Sequence, residues 1–299
     1  MKVDAVFSGG GVKAFAFVGA LESIEENGIQ LERVAGTSAG AIVASLIVAG
    51  YKTKDIHTLI TQLNIESFLD PPKLTKIIPG TKWLFLYFQM GLNRGDKLEY
   101  WLYEQLAKQE IYNFGDVPQG YLKLVVSDLS LGRLVVIPDD LQTLYGIDPN
   151  LFPIAKAVRM SAGFPYFFMP KKLHGNDMGK SFIVDGGLLS NFPLWIFENK
   201  PQTRTIPKRP ILGVKLSEST QMVKPNKIKN ALDMFLALFS TMKQAHDARY
   251  VSSAEKNNII FIPVHHVGTT NFYISDEEKQ ALIKLGKERA NQFLRTWEK

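Results

Sequence analysis

The chain reads as a layered α/β fold, and three observations predict it. Short apolar runs alternate with helical stretches, glycine-rich turns sit at strand-to-helix junctions, and no composition shift marks a linker in 299 residues. One domain over 1–299 is expected, long enough to bury a sizeable core. At 45% hydrophobic and 21% charged residues the balance is that of an ordinary globular protein.

The elements follow in order. Val3 to Phe7 enters a strand at once, and Lys13 to Asn27 carries apolar residues on one helical face until Gly28 stops it. Leu31 to Ala35 is a short strand; Ala41 to Ala49 is a buried helix closed by Gly50. A helix over Lys54 to Asn64 takes Thr53 as its N-cap. Residues 65–94 differ: Pro71-Pro72, Pro79-Gly80 and the run Trp83 to Phe88 make an apolar, proline-punctuated excursion. Asp96 to Lys108 resumes helix, and Leu122 to Ser127 and Leu134 to Ile137 pair around Leu131-Gly132. Ile154 to Met160 is a short helix. Phe182 to Val184 is a buried strand running into Asp185-Gly186-Gly187. Strands at Ile211 to Leu216 and Ile259 to Val264 flank an amphipathic helix, Ile228 to Ala245, read as core through Leu232, Phe235, Leu236, Phe239 and Met242. The last helix opens on the capping box Ser275-x-x-Glu278.

Composition narrows the function. Zero cysteines exclude disulfides, thiolate metal sites and a cysteine nucleophile. No His-Glu-x-x-His or calcium loop is present, so neither metal nor cofactor is expected. The net charge of +6 favours anionic partners, yet the basic residues are scattered and no nucleic-acid-binding motif accompanies them. The N-terminus lacks the basic-then-apolar build of a signal peptide, and no apolar run approaches the ~20 residues that span a bilayer. A cytoplasmic protein, with at most peripheral membrane contact, is the expectation.

Three segments carry chemistry. Gly36-Thr37-Ser38-Ala39-Gly40 lies between a strand and a helix, where Gly-x-Ser-x-Gly turns sharply and leaves a serine hydroxyl exposed. Gly9-Gly10-Gly11 follows the first strand, and its backbone N–H groups suit an oxyanion or a phosphate. Gly9-x-Gly11-x-x-Ala14 also matches a dinucleotide fingerprint, but the acid that fingerprint needs at the end of the next strand is replaced by Ala35 to Ser38. Asp185, at the end of a buried strand, could serve the serine as base. A Ser38, Asp185 and His265 or His266 triad is the other arrangement. Only about two strands precede Ser38, however, too few for the α/β-hydrolase order. His57, His174 and His246 sit in no motif.

Together the Gly9-Gly10-Gly11-Val12-Lys13 loop, the Gly36 to Gly40 elbow about 25 residues later and Asp185-Gly186-Gly187 resemble the patatin-like phospholipase family. Ser161 to Pro165 with Pro170 resembles a further family block. The resemblance implies a three-layer α/β/α fold with a central, mostly parallel sheet. It also implies a Ser38–Asp185 dyad, oxyanion donors from Gly9, Gly10 and Gly11, and calcium-independent hydrolysis of phospholipid or other acyl-lipid esters. Lys13 stands where members often carry Arg, keeping the charge without the planar fork. Acyl transfer to an alcohol or thiol through the same dyad, or anionic-lipid binding without catalysis, are the alternatives. Trp83 to Met90 beside Lys73, Lys76 and Lys82 marks the excursion as a candidate lid.

Overall fold

Val3, Ala5 and Phe7 face one apolar cluster and Val6 faces another, all fully buried, so the first strand must lie inside a sheet covered on both sides. A computed structural model describes residues 1–72, 86–175, 179–198, 209–217, 228–250, 255–264 and 273–297. In chain order its strands are β1 (Lys2–Phe7), β2 (Gln30–Thr37), β3 (Gly91–Asn93), β4 (Leu122–Asp128), β5 (Arg133–Ile137), β6 (Tyr166–Phe168), β7 (Lys171–Gly175), β8 (Gly179–Asp185), β9 (Ile211–Ser217) and β10 (Ile259–Pro263). The central sheet runs β10-β9-β1-β2-β4-β8-β7, with β5 on β4. From β10 to β4 it is parallel; β5, β7 and β8 join antiparallel. β3 and β6 form a separate parallel pair.

The helices are α1 (Phe15–Glu26), α2 (Ala39–Val48), α3 (Thr53–Thr61), α4 (Asp96–Ala107), α5 (Leu141–Tyr145), α6 (Ile154–Ser161), α7 (Ala231–Tyr250) and α8 (Asp276–Leu294). α1, α2, α6 and α8 fill one side of the sheet. On the other, Phe192, Leu194 and Ile196 close over Val6, Ala35 and Val125, giving the expected three layers. The second layer is thin among the described residues. None of the described helices is long and apolar enough to cross a membrane.

Several expectations shift in detail. α3 begins at Thr53 itself, with extended Lys52 as the cap and no side-chain bond. β8 starts at Gly179, because its polar first half pairs with β7 at the sheet edge. Of the residues that mark α7 as core, Phe239 is buried and Met242 is exposed, while the side chains of Leu232 and Leu236 lie outside those described. Of the excursion, 73–85, including Trp83, lies outside the described residues. Phe68 turns inward onto Trp101 at 5.7 Å. Asp70 caps α4, accepting the N–H groups of Gly95, Asp96 and Lys97 at 2.6, 2.8 and 3.2 Å. The Ser275–Glu278 capping box forms in both directions.

Arg159 on α6 is fully buried and donates to the carbonyls of Arg94, Gly95 and Met169, tying α6 to the β3 and β6 loops. Its guanidinium lies 4.6 Å from the Phe168 ring centroid. Burial pulls its pKa down to about 10, so it stays charged at neutral pH.

α1 and α8 touch backbone to backbone. A Cβ on Gly286 would lie 1.9 Å from the Ala16 carbonyl oxygen, and one on Gly19 would lie 1.9 Å from that of Ile283. Ser23 Oγ donates to Asn291 Oδ1 at 2.7 Å along the same seam. Gly286→Ala should therefore destabilise the protein by about 2 kcal/mol through overpacking, despite alanine's better helix propensity. Urea denaturation reads this directly, and an unchanged or raised midpoint would refute the close packing.

Candidate active site

The site is built at the carboxyl ends of β1, β2 and β8, the usual place for a ligand in a parallel sheet. β2 and β8 share one edge of β4 but run in opposite directions. Thr37 pairs with Val125, Asp185 pairs with the next residue, Val126, and β5 occupies the other edge of both. The two strands thus end nose to nose. Ser38 and Asp185, 147 residues apart in sequence, become neighbours.

Ser38 has φ +55° and ψ −123°, in the region that disfavours side chains. Holding it there costs about 1–3 kcal/mol and requires the flanking structure to leave no alternative. Gly36 and Gly40 supply that constraint. A Cβ on Gly36 would stand 2.4 Å from the Gly40 carbonyl oxygen, and one on Gly40 would stand 2.5 Å from that of Phe7. The elbow is therefore wedged against β1, and its glycines are needed for contact.

The Ser38 hydroxyl donates to Asp185 Oδ2 at 2.7 Å. Asp185 is 2% exposed, and its other oxygen accepts the Gly187 N–H at 2.7 Å, so the carboxylate is fixed in rotation. Gly186 places that amide by closing the turn after β8. The Ser38 N–H donates to Ser161 Oγ at 3.0 Å, and the Ser161 hydroxyl donates to the Val125 carbonyl at 2.7 Å. Ser161, at the end of α6, thus couples elbow, sheet and helix.

Of the three amides in the glycine loop, that of Gly9 donates to the Asn191 carbonyl at 2.9 Å. That bond holds the loop, so of the three expected oxyanion donors Gly9 is engaged within the protein. No described residue accepts from Gly10 or Gly11, and both line the cavity above Ser38. Lys13 is buried. Thr37 Oγ1 donates to the Ser190 carbonyl at 3.1 Å, so Ser190 and Asn191 clasp both the elbow and the loop. Neither residue stands in a motif. Both are met only through the fold.

The cavity holds about 140 Å³ and its wall is almost wholly apolar. Ile42 and Val43 of α2, Ile60 of α3, Phe68, Leu98 and Phe164 line it, with Ser38, Asp185 and Asn191 at one end. Phe239 of α7 covers it, 4.7 Å from Phe164 between ring centroids. The N-terminus of α2 begins at Ala39, so its dipole favours negative charge beside Ser38. Among the described residues no histidine lines this cavity. His57 pairs with Glu22, His174 lies on β7, and His265 and His266 fall outside the described residues. No cluster of potential metal ligands occurs among the described residues either.

A strained serine bonded to a buried carboxylate at the end of an apolar cavity is equipped for acyl transfer from an apolar ester. The chain is similar to several known proteins. The chain is 46% identical over 297 residues to the uncharacterized protein YqhO of Bacillus subtilis (strain 168), covering 99% of each. It is 26% identical over 295 residues to a probable lipid hydrolase, 463L, of Invertebrate iridescent virus 6, covering 96% of this chain and 87% of that one. Among solved structures it resembles VipD from Legionella pneumophila, with a TM-score of 0.56 and 20% identity over 99% of this chain and 67% of that one. It also resembles a chain of the ExoU–SpcU complex of Pseudomonas aeruginosa, with a TM-score of 0.53 and 19% identity, over 98% of this chain and 52% of that one. The two structures speak for the fold. The patatin-like phospholipase model matches residues 5–198, which run from the first strand through the glycine loop, the elbow and Asp185, and the chain belongs to that family.

Proposed function

We propose that the protein is a serine lipid acyl hydrolase of phospholipase A or lysophospholipase type, with Ser38 as nucleophile and Asp185 as its base. The observation that carries this reading is the 2.7 Å bond from the Ser38 hydroxyl to a buried carboxylate, with no histidine between them. Family membership and the lipid hydrolase named among its relatives support a hydrolase acting on lipid.

Ser38 Oγ attacks the ester carbonyl as Asp185 Oδ2 takes its proton. The carbonyl oxygen becomes an oxyanion facing the Gly10 and Gly11 N–H groups and the α2 N-terminus. Each such donor contributes roughly 3 kcal/mol to lowering the barrier. Asp185 then returns the proton to the leaving alcohol, and the acyl group remains on Ser38. In the second half Asp185 draws a proton from water, which attacks the acyl-enzyme; as the tetrahedral intermediate collapses, Asp185 returns that proton to the departing Ser38 Oγ and the fatty acid is released. The apolar cavity accepts the acyl chain and excludes bulk water from the carboxylate.

Ser38→Ala should abolish release of fatty acid from phospholipid dispersions. Asp185→Asn keeps the shape and the Gly187 bond but loses the base, and should lower kcat by about 10³-fold. Retention of full activity by either variant would refute the dyad.

Ser161→Ala removes the clasp on the Ser38 amide without touching the dyad. It should reduce kcat by about tenfold and leave KM nearly unchanged, because geometry is loosened and binding is not. A rise in KM at constant kcat would assign Ser161 to substrate binding instead.

A further inference from the structure

Away from Ser38, the most distinctive surface is the outer face of α7. Met234, Leu238 and Met242 recur at four-residue spacing along one stripe and are 51%, 55% and 44% exposed. The adjacent face of the same helix meets the cavity, where Phe239 packs on Phe164 and Phe235 stands edge-on to Tyr166 at 4.5 Å. A helix that seals a cavity with one face and shows solvent an apolar stripe on another needs a partner for that stripe.

The apolar surface continues past the helix. Tyr166, itself exposed, pairs in register with Gly91, and just before Gly91 come Tyr87, Phe88 and Met90, exposed by 80%, 68% and 38%. Phe88 and Met90 share a shallow depression with Lys172. Lys172 and Lys180 each stand 5.6 Å from the centroid of the Phe182 ring, close enough that Lys180 lowers the pKa of Lys172. Two cations held this near each other favour an anion between them. Exposed Lys229 marks the N-terminal approach to α7.

We propose that the α7 stripe and the 87–90 rim form one face that docks on an anionic phospholipid membrane, with α7 as an interfacial helix roofing the acyl cavity. A bilayer fits better than a protein partner because the stripe runs beside Phe239, which lines the acyl cavity, and because lysines border the same apolar surface. Lysines at the edge of an exposed aromatic and methionine surface match anionic headgroups over an apolar interior. This inference rests on the lipid hydrolase reading for what is delivered, but docking is measurable without turnover.

The absence of cysteine allows a single-site probe. In a Ser38→Ala background, Leu238→Cys carrying an environment-sensitive dye is mixed with vesicles of phosphatidylcholine and phosphatidylglycerol, and Lys284→Cys on α8 serves as control. Docking predicts a blue shift and quenching by brominated acyl chains at 238 and neither at 284. No shift at 238, or equal shifts at both sites, overturns it. A triple Met234→Ser, Leu238→Ser, Met242→Ser variant should bind these vesicles about tenfold more weakly and hydrolyse them correspondingly slowly, while cleaving a monomeric short-chain ester normally. Unchanged vesicle binding by this variant, or a concentration-dependent dimer of the wild type that the substitutions abolish, also overturns docking. If wild type cleaves no ester at all, the hydrolase reading fails, and the dye experiment still decides the docking face.

Discussion

The shared edge of β4 is the constraint on which the rest of this structure depends. β2 arrives parallel and ends at Thr37 opposite Val125; β8 arrives antiparallel and ends at Asp185 opposite Val126. A one-residue slip in either strand would turn its terminal side chain to the other face of the sheet. Both registers are fixed by burial, since Val34, Leu124, Val126 and Ile183 belong to one core and Ala35 and Val125 to the other. The hydroxyl-to-carboxylate bond at the site is thus a consequence of sheet packing, and no flexible loop has to find it.

Around that edge each nearby element holds one part of the nucleophile. The Gly40–Phe7 contact presses the elbow against β1, Ser161 takes the Ser38 amide, and Gly187 locks the carboxylate. The Asn191 carbonyl accepts the Gly9 N–H and so shapes the glycine loop, whose next two residues line the cavity. The strain at Ser38 persists because these contacts leave it no relaxed alternative. The apolar wall extends from the same helices that cover the sheet, so core and acyl cavity are continuous.

Much of this was legible in the residues. Gly36 and Gly40 announce an elbow because only glycine tolerates the observed approach, and Asp185-Gly186-Gly187 announces a turn that can admit another strand end. Ser161 opens a block that resembles the family's, but nothing in the block gives its bonds to the Ser38 amide and the Val125 carbonyl. Asn191, Asp70 and Arg159 act through contacts made by tertiary folding, and a lone polar residue carries no periodic or spacing signal of that. β7 and the polar half of β8 escaped because edge strands lack the apolar run that marks a central one. Leu232, Phe235, Leu236, Phe239 and Met242 give the helix over 228–245 a core pattern, yet the same spacing serves a helix that lines a cavity with Phe239 and keeps Met234, Leu238 and Met242 exposed. The histidine triad and the aromatic lid at Trp83 rest on residues outside those described.

The central claim is that Asp185 alone activates Ser38. The most direct test is the rate at which a fluorophosphonate modifies Ser38, followed by peptide mapping, in wild type, Asp185→Asn and a His265→Ala, His266→Ala double variant. Rapid modification is expected in wild type and in the double variant, with a loss of at least about 10²-fold in Asp185→Asn. Rapid modification of Asp185→Asn, or its loss in the histidine variant, would contradict it.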